Sequence, residues 1–272
     1  MSDTGRLQDR IVVITGSTGI AAAAARRASD EGASVFVVSR TSDHARDLAT
    51  SLSGPAAWAQ ADLTEQAEVE AAIGAAVSRF GRIDGCFSVA GGSGRRFGDG
   101  PIHAMTAAGW DGTLNLNLRS QALVAAAVTH QMRAQTAGPA GARGSIVLVS
   151  SVLAASPVPE LFATHAYAAA KGAIVSLART MAATYAGDGI RVNVVAPGLT
   201  ETPMSQRAAE DPATVEFVHR KQPLVHGFLT ADDIAHAAIY LLANESRAVT
   251  GQVLTVDGGW SVTAAAAAGA AT

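Results

Sequence analysis

Short apolar, β-branched runs alternate with helical stretches along most of this 272-residue chain. That alternation constrains the fold more than any other feature. Ile11-Val-Val-Ile14, with charge before it and Thr15-Gly16 after it, reads as a buried strand. An Ala-rich helix from Ile20 to Glu31 follows, closed by Gly32, and then a second strand, Val35 to Val38. The same reading continues with a helix from Ser42 to Leu52, a weaker strand from Ala56 to Ala61, an amphipathic helix from Glu65 to Phe80 and a strand from Gly85 to Val89. Beyond a Gly- and Arg-rich loop from Ser93 to Pro101, one long helix is expected over Trp110 to Arg133 and a strand over Ser145 to Val149. A Pro-containing loop from Val152 to His165 precedes a helix from Tyr167 to Ala186 and a strand from Arg191 to Val195. Thr200 to Phe228 reads as irregular, with short helices at most. A helix from Ala231 to Ala243 and a strand from Gln252 to Val256 complete the pattern. Strands separated by helices require a parallel sheet covered on both faces, so the expected class is α/β, a doubly wound sheet. No linker or repeat divides the chain; a single domain over 7–262 is expected, followed by a frayed Ala-rich tail over 263–272.

Composition excludes several function classes. The chain is 49% hydrophobic and 16% charged, which supports a sizeable core and argues against disorder. Twenty basic and 23 acidic residues leave a formal net charge of -3, with no basic stripe for nucleic acid or an acidic membrane. Cys86 is the only cysteine, so no internal disulfide can form. Met1 to Gln8 lacks an apolar signal core, and no apolar run is long enough to span a bilayer. A soluble cytoplasmic protein is the expectation.

The chemistry concentrates at Tyr167-Ala-Ala-Ala-Lys171. Helical spacing of four puts the phenol and the ammonium on one face. A lysine cation beside a tyrosine favours the phenolate and lowers its pKa, which suits proton transfer to or from an alcohol or carbonyl. Upstream, Thr15-Gly16-Ser17-Thr18-Gly19-Ile20 lies between the first strand and the first helix, where glycines let backbone N–H groups approach a pyrophosphate. Ser39-Arg40 ends the second strand where NAD-binding chains usually carry an acid for the adenosine ribose. A guanidinium there suits a 2′-phosphate, so NADP(H) is favoured over NAD(H). Asp62 is placed either to accept from an adenine amino group or to cap a helix.

These features occur in a fixed order with others: Asp62-Leu63, Ala90-Gly91, Asn117 within Leu114-Asn-Leu-Asn-Leu118, Ser150-Ser151, Pro197-Gly198 with Thr202, and Val256-Asp-Gly-Gly259. In that order the chain resembles the short-chain dehydrogenase/reductase family, in its compact single-domain branch, from about Leu7 to Trp260. The resemblance implies a Rossmann-type fold and an NAD(P)(H)-dependent oxidoreductase that interconverts an alcohol and a carbonyl. It implies Tyr167 as proton donor or acceptor, Lys171 as the group that binds the nicotinamide ribose and tunes Tyr167, and Ser151 as the hydroxyl that orients the substrate oxygen. Asn117 would break its helix locally and hold a relay water, while Pro197, Gly198, Thr200 and Thr202 would line the nicotinamide side. Two helices bearing Ala122 to Ala127 and Ala168 to Ala173 would pair in a homodimer or homotetramer.

Three departures stand out. Gly16 and Gly19 enclose two residues where the family usually has three, and Ala21 takes the place of a third glycine, a change expected to alter the phosphate geometry and weaken the cofactor's hold. Ser88-Val89-Ala90-Gly91 lacks the two amide side chains that brace the central sheet in relatives. The loop between Ser151 and Tyr167 is long and carries Pro157, Pro159 and Phe162, so it is expected to shape the substrate mouth. A catalytically weak or inactive nucleotide-binding sensor or scaffold of the same fold is the alternative, and the first two departures are its support. Among other candidates, the seven histidines show no metal spacing, and only His165 lies near the expected site. Arg95 and Arg96 lie on a loop that could meet an anionic substrate or simply be solvated. Met204, Phe217, Val218 and Phe228 fall where relatives build a substrate lid.

Overall fold

The computed structural model describes residues 5–264. Seven strands form: β1 (Ile11–Thr15), β2 (Ser34–Ser39), β3 (Ala56–Gln60), β4 (Gly85–Ser88), β5 (Gly144–Val149), β6 (Ile190–Pro197) and β7 (Val253–Val256). All lie parallel in one sheet, in the order β3-β2-β1-β4-β5-β6-β7. Register places Val13 between Phe36 on one side and Cys86 on the other. After β3 the chain crosses to the far side of β1 to start β4. The strand order therefore reverses at β1 and β4, and a crevice opens at their carboxyl ends.

The helices are α1 (Ile20–Asp30), α2 (Ser42–Thr50), α3 (Gln66–Phe80), α4 (Ala107–Leu114), α5 (Ser120–Ala134), α6 (Pro159–Phe162), α7 (His165–Tyr185), α8 (Gln206–Ala209), α9 (Pro212–Lys221) and α10 (Ala231–Leu242). They cover both faces of the sheet. On one face the buried alanines of α1 (Ala21, Ala22, Ala24, Ala25 and Ala28) meet Ile234, Ala235, Ala238 and Ile239 of α10. Alanine leaves no long side chain to hold these helices apart, and burial of so much apolar surface at about 25 cal/mol per Å² stabilises the layer. On the other face Val69, Ile73, Val124, Val128, Met132, Ile174 and Ala178 pack beneath α3, α5 and α7. A third, smaller apolar cluster sits at the carboxyl end of the sheet, where Val152, Val158, Val218 and Trp260 meet.

Three segments differ from the sequence-based expectation. The long helix begins early, at Ala107, and is interrupted by a π-turn over Asn115–Arg119. The interruption centres on the fully buried Asn117, whose Nδ2 donates to the carbonyls of Gly92 (2.9 Å) and Thr113 (3.1 Å). The helix containing Tyr167 also begins early, at His165, because the Asp99 carboxylate accepts from its first N–H groups. In the irregular part, Pro212–Lys221 forms a ten-residue helix, with Pro212 in its first turn and Asp211 accepting from Thr214 N at 3.2 Å. At the chain's end, the Thr263 hydroxyl donates to the carbonyl of Gly259 at 2.8 Å; the rest of the expected tail, 265–272, lies outside the described residues.

Among the described residues, no helix is long and apolar enough to cross a membrane. No group of three or more His, Cys, Asp and Glu side chains among them is placed to hold a metal ion. Cys86 is buried in β4, and burial pushes its thiol up to about 12. An exposed, low-pKa thiolate is what reactive cysteines need, so this one is inert.

Candidate active site

A cavity of about 690 Å³ occupies the crevice at the strand-order reversal. Its walls include Gly16 to Ala21, Arg40, Ala90, Gly91, Ser151, Tyr167, Lys171, Pro197, Gly198, Thr200 and Thr202. Most residues expected from the sequence to share a site therefore share this one. Asp62 lines an adjoining hollow with Thr64, Arg96, Phe97 and, again, Arg40. Three expected residues do not line either space. The Ser39 side chain is buried and bonds to Ser17, Leu63 packs in the core beneath α3, and Asn117 lies behind the cavity wall.

The proton-transfer end is built from side chains delivered by two segments, α7 and the end of β5. Tyr167 and Lys171 project from the first two turns of α7, and Lys171 Nζ stands 5.5 Å from the centre of the Tyr167 ring. Lys171 is 3% exposed and donates to the Val149 carbonyl at 2.9 Å, while its own carbonyl accepts from Ser150 Oγ at 2.7 Å. Burial depresses the Lys171 ammonium to about 7. Burial also pushes the Tyr167 phenol up to about 12, opposed by a hydrogen bond with Ser151. The sequence-based expectation of a phenol lowered by its lysine is therefore not met in the protein alone: desolvation dominates both groups. Ser151, at the carboxyl end of β5, also accepts from Leu153 N at 3.2 Å, which turns the chain into the following loop.

Sequence reasoning missed Asp99. It sits on the loop after β4 and is 6% exposed. Its two carboxylate oxygens accept from Ala166 N (3.0 Å) and Tyr167 N (2.9 Å), and a carboxylate suits the positive end of a helix. Next to it, Gly100 O accepts from His165 N, and Ile102 N donates to His165 Nδ1 at 2.9 Å. The loop thus fixes where Tyr167 begins its helix, and His165 serves that contact from an exposed position. The only local signal was an acid in a Gly-rich loop, and its partner lies 67 residues away in sequence. Trp260 was missed in the same way. It is 1% exposed, lines the cavity and packs on Phe162 and Phe217 at ring-centre distances of 6.1 and 5.5 Å. Asp257 seats it by accepting from Gly259 N and Ser261 N at 2.9 and 2.8 Å. Of the expected lid residues, Val218 and Phe217 join this cluster, as does Phe228, while Met204 is exposed on the cavity wall.

The phosphate end is built from backbone. Gly16 and Gly19 have φ of 97° and 53°. A Cβ on Gly19 would stand 3.0 Å from Thr202 Cγ2, and one on Gly16 would stand 3.0 Å from Ala21 Cβ. The turn is therefore tight, and Ala21 fills the space beneath it. Among the described residues, the N–H groups of Ser17 to Ile20 have no intramolecular acceptor, and α1 has no side-chain cap. Unpaired N–H groups at a helix start, bordering a cavity, fit a pyrophosphate. With Arg40 at one end and Lys171 at the other, the residues present fit a nicotinamide dinucleotide.

The missing amides after β4 are replaced in part. Thr15 Oγ1 accepts from both Val89 N (3.0 Å) and Ala90 N (3.1 Å), tying β1 to the chain leaving β4. Among the described residues, the buried Ser88 hydroxyl has no partner. Asp62 acts as a turn acceptor for Thr64 N and Oγ1 at 3.0 and 2.7 Å, and these bonds, more than the nearby Arg40, hold its carboxyl below the usual range. After β6, the fully buried Gln222 amide bonds Leu199 N and O and Gly227 O, pinning the strand's exit.

Residues 14–261 match the family described as enoyl-(acyl carrier protein) reductase. The chain is similar to 2-(S)-hydroxypropyl-CoM dehydrogenase 3 of Xanthobacter autotrophicus, 36% identical over 94% of this chain and 98% of that protein. It is likewise similar to an A-factor type gamma-butyrolactone 1'-reductase of Streptomyces virginiae, 36% identical over 95% and 98% of the two chains. A solved short-chain type dehydrogenase/reductase from Mycobacterium ulcerans superposes with a TM-score of 0.84 at 29% identity, covering 94% of this chain and 90% of that one.

Proposed function

The chain belongs to the short-chain dehydrogenase/reductase family, and from that premise we propose how its own residues carry the reaction. It is an NAD(P)(H)-dependent oxidoreductase acting on CH–OH and C=O groups. Tyr167 gives the proton to the carbonyl oxygen in reduction and accepts it in oxidation. The observation that carries this assignment is the convergence of Tyr167 and Lys171, from α7, with Ser151, from the end of β5, on one cavity. Ser151 hydrogen-bonds the phenol and orients the substrate oxygen. Lys171 holds the nicotinamide ribose, and Asn117 keeps the π-turn open beside it. Ser17 to Ile20 offer N–H groups to the pyrophosphate, and Gly91, Pro197, Gly198, Thr200 and Thr202 line the nicotinamide side. The cofactor, when bound, supplies or takes the hydride.

The buried phenol of Tyr167 is protonated through neutral pH, the form that donates a proton in carbonyl reduction. Arg40 is exposed at the adenosine end and makes no salt bridge among the described residues, which supports NADP(H) over NAD(H). The substrate is a small alcohol or ketone. The half-buried alanines of α5 and α7 support a homodimer or homotetramer, which light scattering tests; a monomer would remove it. One domain over 7–262 and a cytoplasmic location complete the proposal.

The test pairs turnover with cofactor titration. Tyr167→Phe should lose roughly 10²- to 10⁴-fold in kcat, the range of a general acid, while binding NADPH as the parent does. Full activity in that variant refutes the assignment, and tighter binding of NADH than of NADPH by the parent refutes the role given to Arg40.

A further inference from the structure

The cavity is lined by five cationic side chains, Arg40, Lys171, Arg95, Arg96 and Arg207, and by no carboxylate. Three have evident places: Arg40 at the adenosine end, Lys171 behind Tyr167, and Arg96 over the Phe97 ring at 4.5 Å, facing the hollow it shares with Arg40 and Asp62. Arg95 and Arg207 remain. Arg95 comes from the loop after β4 and Arg207 from α8, after β6, so two separate segments bring them to the same cavity.

On the reading of the site given above, we infer that the substrate carries an oxyanion (carboxylate, sulfonate or phosphate) gripped between Arg95 and Arg207 at the mouth of the cavity. Among the described residues neither arginine forms a salt bridge. Burial depresses the Arg95 guanidinium most, the Arg207 charge adds to the effect, and Asp99 opposes it. The nearby carboxylates are already engaged. Asp99 accepts from the start of α7, and Asp211 accepts from Thr214 at the start of α9. Each guanidinium has one of these carboxylates within electrostatic reach, Asp99 for Arg95 and Asp211 for Arg207, but forms no salt bridge with it, so an anion reaching both arginines would supply the close charged contact that each lacks. One N–H of Arg95 is spent on the Leu161 carbonyl at 3.1 Å, which anchors the side chain and leaves its other donors without protein acceptors. Such a fork suits bidentate contact with an oxyanion. Phe162, Leu153, Met204 and Trp260 line the same cavity and would receive a short apolar body.

The experiment compares a short keto acid with its methyl ester, using the parent protein, Arg95→Ala, Arg207→Ala and the double variant. The sulfonate and phosphate analogues are run beside the acid to rank the oxyanions. The parent should prefer the acid over the ester in kcat/KM by about 10- to 100-fold, the worth of a charge-assisted contact, and less so at high salt. Each variant should raise KM for the acid more than for the ester, collapsing that preference. Equal kcat/KM for acid and ester in the parent overturns the inference. So does a rise in the KM of the cofactor alone, because the arginines would then hold a cofactor phosphate. Calorimetric titration of the acid and the ester into the protein–NADP⁺ complex separates this inference from the proposed reaction. Selective binding of the acid without turnover upholds the anion site and sinks the reaction, whereas turnover without selectivity does the reverse.

Discussion

The two ends of the cavity are made of different materials. At Tyr167 the site consists of side chains: a phenol, an ammonium, two serine hydroxyls and, behind them, the carboxylate of Asp99. At Gly16 to Ala21 it consists of backbone N–H groups whose directions are set by two glycines at positive φ. The side-chain end operates by desolvation. Burial moves both Tyr167 and Lys171 away from their charged forms. The backbone end operates by geometry, and its tolerance is small because a Cβ added at Gly16 or Gly19 would come within 3.0 Å of Ala21 or Thr202. A turn one residue shorter than usual in the family therefore need not abolish phosphate binding. What matters is whether its N–H groups still point, unpaired, at the cavity, and Ser17 to Ile20 are free to do so.

Lys171→Met tests the desolvation half most strongly. Folding holds Lys171 near 7, below its ordinary 10.5. Below pH 7 the fold therefore carries the full cost of a buried ammonium. From pH 7 to 10.5 the folded chain sheds that proton before the unfolded chain does, and the cost fades. The variant should fall at least about 100-fold in kcat/KM, within the reach of a lost charged contact. It should also be more stable than the parent near pH 6, by a few kcal/mol at most on the order of the shift, with the gap narrowing toward pH 10. Chemical denaturation at both pH values reads this. A gap that widens with pH would show that desolvation is not what perturbs Lys171.

Gly19→Ala tests the geometric half. A Cβ at φ 53° that meets Thr202 should raise the KM for the cofactor by about tenfold and cost roughly 1 kcal/mol of stability, with kcat for the saturated enzyme little changed. A drop in kcat at unchanged cofactor KM would show that the turn does more than grip phosphate.

Asp99→Asn asks whether the side-chain end depends on a remote loop. Loss of the charge at the start of α7 should cost about 1 kcal/mol, seen as a lower Tm, and should also lower kcat by displacing Tyr167. An unchanged kcat alongside the lower Tm would make Asp99 purely structural.

Ser88→Ala addresses the strand between the two ends and carries the smallest effect. The buried hydroxyl has no partner, so its removal should stabilise the fold by up to about 1 kcal/mol in a thermal melt. Destabilisation would mean that the hydroxyl has found an acceptor and replaces one of the missing amides.

Legibility in the sequence followed the same division. The seven strands, their parallel sense and most of the helices were readable because short β-branched runs and a 3.6-residue apolar period are local properties of the chain. Tyr167 and Lys171 were readable because helical spacing fixes which face they share, and Asn117 because Leu114-Asn-Leu-Asn-Leu118 holds its place in the ordered set of motifs that carries the family resemblance. Much else was decided in three dimensions. Asp99 reaches α7 only once the loop after β4 is folded over it, and Trp260 reaches Phe162 only when the chain's last turn closes on the loop after β5. Arg95 and Arg207 line one cavity only because β4 and β6, parallel in the sheet, deliver the segments that follow them to the same edge. The direction of the Tyr167 shift also depended on tertiary structure. A sequence shows that a lysine stands one turn from a tyrosine, but desolvation depends on the volume of protein packed around both, and that volume comes from segments far away along the chain.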